Sequence, residues 1–213
     1  MDSTNRLEAF SDAVFAIIIT LLVLDLRVPK AEVVGIGGLA PALSAMWSNA
    51  LALVVSFCLI GVVWVNHHTM FRYIARCDHG LVVLNTLLLL CVAVLPFTTA
   101  LLAEYVHTPG PDRRTAALSY SAALVVAGIF YNLLWWYAIR ANLTSSPAAA
   151  FKLYALGRVW RFGPVSYALA MAAAVVNVPL SLSFYVALIL YFGISGHWVA
   201  RKMAAMRHHP AVM

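Results

Sequence analysis

Six apolar stretches, each long enough to cross a lipid bilayer and separated by short polar connections, constrain this chain more than any motif it carries. A hydrocarbon core about 30 Å thick takes about 20 residues of helix rising about 1.5 Å each. Runs of that size lie at about 8–26, 42–66, 80–106, 115–139, 162–180 and 183–200. In the fifth, Pro164 opens the run and Asn177 and Pro179 close it, positions that suit helix ends or a tight turn better than a helix middle. Of the 213 residues, 63% are hydrophobic and 10% charged, against about 25% charged in soluble domains. A fold bathed in water could not cover runs of this length. The sequence predicts an all-α membrane protein with six transmembrane helices per subunit, forming one domain over residues 1–213.

The formal net charge of +6 would raise the question of nucleic acid in a soluble chain. Here the 14 basic residues sit mainly at helix ends, so no nucleic-acid partner is expected. With six spans, one side of the membrane carries Arg6, Arg72, Arg76, Arg140, Lys152, Arg158, Arg161, Arg201, Lys202 and Arg207. The other carries only Arg27, Lys30, Arg113 and Arg114. The basic excess places both termini in the cytoplasm of a multi-pass protein of the cell membrane. Cys58, Cys77 and Cys91 show neither a disulfide framework nor metal-ligand spacing. No small-residue cleavage site follows the first apolar segment, so a cleaved signal peptide is not expected. The fourth connection, about 140–161, is flanked by Trp135, Trp136, Tyr137 and Trp160, and reads as a short amphipathic segment on the cytoplasmic surface. Residues His208–Met213 are expected to be disordered.

The first helix carries the most information. It holds Arg6, Glu8, Ser11 and Asp12 in its opening turns, and such charges cost about 2.5–3.5 kcal/mol each at the centre of a span. They must face protein or water. Asp12 is therefore expected among neighbouring helices, with a positive or hydrogen-donating partner. Beyond it the helix is apolar as far as Leu24 except for Thr20, and helical spacing gathers Ala13, Ile17, Leu21 or Thr20, and Leu24 into one stripe. Copies of that stripe around an axis would make a narrow apolar tube with a ring of hydroxyls, a constriction of the kind that gates ions by dewetting.

Residues 6–12, Arg-Leu-Glu-Ala-Phe-Ser-Asp, fit an Arg-x-x-x-Phe-Ser-Asp signature, and Ala-Val-Phe-Ala-Ile-Ile-Ile-Thr-Leu-Leu-Val-Leu continues it. With Trp64-Val65-Asn66-His67-His68-Thr69-Met70-Phe71 at the end of the second helix, the chain resembles the lysosomal transmembrane protein 175 potassium channel family, in its single-repeat prokaryotic form. The resemblance implies a homotetramer whose first helices line a central pore for potassium. It makes Ala13, Ile17, Thr20, Leu21 and Leu24 pore-lining. It puts Arg6, Phe10, Ser11 and Asp12, with Trp64, His67 and His68, in a structural network behind the pore. There is no Thr-Val-Gly-Tyr-Gly loop, so rings of backbone carbonyls are not the expected source of selectivity. No cofactor is implied beyond the permeant potassium ion. Adjacent on a helix, His67 and His68 point about 100° apart, which favours hydrogen bonding over joint ligation of a metal.

Other classes fit less well. An enzyme would need His67, His68 and Asp78 to work with Glu104, which belongs to the opposite face, and no nucleophile and base pair stands at a useful spacing. A secondary transporter would be expected to break a helix near the midplane, and the first four runs carry no such break by sequence. A non-conducting scaffold would keep the helices without the pore.

Overall fold

The computed structural model describes residues 3–30, 34 and 38–205, with side chains described as far as Gly193. Its helices are α1 (Ser3–Leu21), running into a 3₁₀ turn at Leu22–Asp25, α2 (Leu39–Ala45), α3 (Trp47–Phe71), α4 (His79–Ala93) and α5 (Leu95–Tyr105). They continue with α6 (Pro111–Arg140), α7 (Pro147–Trp160), α8 (Phe162–Val176) and α9 (Val178–Ala205). The predicted disordered tail, 208–213, and the basic residue Arg207 lie outside the described residues.

Five stretches among the described residues are long and apolar enough to cross a membrane: Thr4–Asp25, Trp47–Phe71, His79–Tyr105, Pro111–Arg140 and Pro147–Val176. α9 adds a shorter apolar stretch among the described residues, Val178–Gly193. Three details refine the sequence reading. The second run does not begin at 42 as one helix, because the chain turns at Met46 between α2 and α3, and α3 then extends to Phe71. This keeps Trp64, His67 and His68 within one continuous helix. The third run is interrupted at Val94, with Pro96 in the first turn of α5. Proline has no N–H to give the preceding turn, and the helix breaks there; the first four runs are thus not free of a break.

The third detail concerns residues 147–160. Expected as a short amphipathic surface segment, they form a two-faced helix that leaves Phe151 and Tyr154 exposed, buries Leu153, Leu156 and Trp160, and meets α8 at Arg161. Gly157 lets this helix approach α6: a Cβ there would lie 2.7 Å from the Trp135 ring. Ser146 caps it, its hydroxyl accepting from the Ala149 N–H at 3.1 Å.

The core is organised on α6, which buries Ala117, Tyr120, Leu124, Ala127, Tyr131, Leu134 and Ala138 at three- and four-residue steps along one stripe. Small residues set how closely helices meet, as is usual between spans. Gly128 faces Pro164 and Tyr167 at 3.3–3.4 Å from its virtual Cβ, and Ala170 and Ala174 of α8 are buried. The connections after α3 and α6 lie side by side. The Ala75 N–H donates to the Leu143 carbonyl at 2.9 Å, and the Ser145 N–H to the Tyr73 carbonyl at 3.1 Å. Arg76 donates to the Asn142 carbonyl. Asp78 joins them: Oδ1 caps α4 through the Leu81 N–H at 2.8 Å, and Oδ2 accepts from the Tyr137 hydroxyl at 2.8 Å. The two connections that the charge count assigns to one side of the membrane therefore share one end of the bundle.

Candidate functional site

Two faces divide α1. Leu7, Ser11, Phe15, Ile18 and Leu22 follow helical spacing and are buried against α3, α4 and the rest of the core. On the opposite face Ala13, Ile17, Thr20, Leu21 and Leu24 are exposed, with Ile17 at 58%, Leu21 at 42% and Leu24 at 68% of full exposure. Phe10 lies on that side too, exposed. The Thr20 hydroxyl donates to the Ile17 carbonyl at 2.8 Å. Its proton is committed to the helix, which leaves its oxygen lone pairs on the open face.

Behind this face runs a chain of polar contacts. The Ser11 hydroxyl donates to the Leu7 carbonyl at 2.8 Å and accepts from Asn85 Nδ2 at 2.9 Å. Asn85 Oδ1 meets His67 Nε2 at 2.8 Å, and with the amide oxygen as acceptor the imidazole carries its proton on Nε2. All three side chains are fully buried. His67 stacks on Phe71 with ring centroids 4.5 Å apart and touches Phe15 of α1 at 5.4 Å. These contacts fix α1 against α3 and α4 at the level where its open face begins.

A second set flanks the first along α1 and α3. Trp64 Nε1 donates to Asp12 Oδ1 at 2.8 Å, and His68 Nδ1 lies 3.0 Å from Glu8 Oε1. The Trp64 and His68 rings neighbour each other at 6.2 Å. Of the residues that the sequence singled out, Ser11, Asp12, Trp64, His67 and His68 converge on the contact of α1 with α3 and α4. Arg6 and Phe10 do not join it: both are exposed, and Arg6 makes no hydrogen bond or ion pair among the described residues.

Two partners were not foreseen. Asn85 bridges Ser11 and His67, and its signal was a lone amide in an otherwise apolar run. Glu8 finds His68, an exposed residue at the end of α3. A further hydroxyl cluster is also unforeseen. Thr99 donates to Ser56 at 2.8 Å, Ser56 pairs with the Tyr120 hydroxyl at 3.0 Å, and Ser121 pairs with the Tyr185 hydroxyl at 2.5 Å. It sits inside the helix bundle, on α3, α5, α6 and α9.

Residues 6–96 match the family described as endosomal/lysosomal potassium channel TMEM175. A potassium channel of Streptomyces collinus is 42% identical over 206 residues, spanning 96% of this chain and 98% of that protein. The chain belongs to the TMEM175 family. A TMEM175 relative from Chamaesiphon minutus, named a potassium channel, is 42% identical over 193 residues, covering 90% of this chain and 94% of its own length. The crystal structure of a lysosomal potassium-selective channel TMEM175 homolog from the same organism superposes with a TM-score of 0.82 at 40% identity, covering 92% of this chain and 98% of that one. These relatives are named ion channels, and none is named an enzyme. The TMEM175 match takes in α1, α3 and α4, the three helices that carry the Ser11–Asn85–His67 chain.

Proposed function

We propose that this protein is a potassium-permeable cation channel of the cell membrane, a homotetramer in which the open face of α1 lines a central pore. Ile17, Leu21 and Leu24 form the apolar constriction, Thr20 contributes a polar layer within it, and Ala13 lies toward the end that carries Asp12. The observation that carries the reading is the division of α1. One face is packed as tightly as a core helix, while the other, in a single subunit, leaves large aliphatic side chains uncovered beside a hydroxyl. Four copies around an axis would cover that face with itself. Arg6 and Phe10 then belong to the contact between subunits, which accounts for their exposure in one chain.

Six spans follow if α8 and α9 each cross the bilayer, with α7 seated at the membrane surface. In that topology the N-terminus, the paired connections after α3 and α6 and the C-terminus are cytoplasmic, in keeping with the basic excess on that side. Bulky side chains dehydrate the narrow region, so conduction requires the four α1 helices to move apart or turn.

The test is ion flux through purified protein in liposomes, with potassium compared against sodium. Passive, downhill potassium flux that rises in Ile17→Ala or Leu24→Ala is expected. Flux that needs a coupled gradient and saturates would make the protein a transporter, and no flux under any gradient would leave the scaffold reading.

A further inference from the structure

We propose that Glu8, Asp12 and His68 form a binding site for a divalent transition-metal ion, zinc foremost, which ties α1 to α3. This inference is independent of conduction. Glu8 and Asp12 stand one helical turn apart on α1 and share a face, and His68 reaches them from α3. One ligating atom from each of the three lies within 4.8 Å of the other two. The imidazole Nδ1 is already 3.0 Å from Glu8 Oε1. Zinc takes nitrogen and carboxylate oxygen at about 2.0–2.2 Å, so neighbouring ligands around a tetrahedral ion are separated by about 3.4 Å. The widest gap among them, at most 4.8 Å, exceeds that spacing by an amount that rotation of a carboxylate can close.

The donor set selects the ion. One imidazole nitrogen with two carboxylates suits zinc and its neighbours, whereas calcium and magnesium prefer oxygen alone. Two carboxylates facing a single imidazole also carry an excess of negative charge that a dication neutralises. Three protein ligands leave a fourth position for water, and half-exposed His68 leaves that position reachable from solvent. Trp64 supplies the outer support: its N–H holds Asp12 Oδ1 at 2.8 Å and leaves the second oxygen free to ligate. His67 takes no part, because its Nε2 is engaged with Asn85 in the core.

The experiment uses the full-length, tag-free protein in detergent, titrated with zinc by calorimetry, with thermal unfolding followed with and without the ion. Wild type is expected to take one zinc per chain and to melt at a higher temperature when loaded. His68→Ala and Glu8→Gln should each bind at least tenfold more weakly and lose the thermal shift, while eluting from gel filtration as wild type does. A variant with His208→Ala and His209→Ala, the other adjacent histidines of the chain, should keep both. No uptake by wild type, or uptake unchanged in both His68→Ala and Glu8→Gln, would overturn the site.

Discussion

Replacing Asn85 by leucine removes the side chain that bridges Ser11 and His67, while nearly conserving volume. Two hydrogen bonds are lost, at 2.9 and 2.8 Å. Between membrane helices such bonds average about 0.6 kcal/mol each. The larger cost falls on His67, which is fully buried and whose Nδ1 already lacks a partner. Losing the Nε2 partner as well strands the whole ring, a penalty of about 1–3 kcal/mol. Ser11 keeps its bond to the Leu7 carbonyl and adds little. The sum is about 2–4 kcal/mol of destabilisation, read by equilibrium unfolding of the purified protein in detergent. The double variant Asn85→Leu with His67→Leu should recover most of that loss, since removing both partners of a buried bond leaves nothing stranded. If Asn85→Leu unfolds within about 0.5 kcal/mol of wild type, the ordinary range of surface changes, the polar chain does not anchor α1.

Three further outcomes follow from single contacts. Gly157→Ala should cost about 1–3 kcal/mol by the same unfolding assay despite alanine's better helix propensity, because its Cβ would meet three atoms of the Trp135 ring at 2.7–2.8 Å. That ring is held in place by its Nε1 bond to Asn132 at 3.0 Å. Tyr137→Phe should lose about 0.5–1.5 kcal/mol by removing the hydroxyl that donates to Asp78, with the helix content seen by circular dichroism unchanged. Trp64→Phe keeps an aromatic ring, though a smaller one, but not the N–H to Asp12, and should lower stability by at least about 0.6 kcal/mol.

The apolar runs revealed most of the helices because lipid imposes a length and a composition on each span, and both are local properties of the chain. Contacts between helices are not local. Asn85 announced that something polar had to meet it, but the identity of that partner depends on how α4 rotates against α1 and α3. The Glu8–His68 pair was hidden for a related reason: both lie near helix ends, and whether they meet depends on how α1 is set against α3. Residues 147–160 carry the tryptophan and basic flanks of a surface segment, but which face packs on the bundle depends on Gly157 standing opposite Trp135, a match that pairs residues 22 positions apart. The two faces of α1 could be drawn from spacing alone. Which of them is packed within the subunit needed the positions of α3 and α4.

The central claim is that the open face of α1 borders an ion pathway, and thiol modification tests it most directly. In a background where Cys58, Cys77 and Cys91 are replaced by alanine, Leu24→Cys places a single thiol at the exposed outer end of that face. Leu90→Cys, equally uncovered but on α4, serves as the comparison. A positively charged, water-soluble methanethiosulfonate should abolish potassium flux through the Leu24→Cys protein and leave the Leu90→Cys protein unaffected. Full flux through a Leu24→Cys protein shown by mass to be modified would contradict the account, as would a thiol there that reacts only with lipid-soluble reagents.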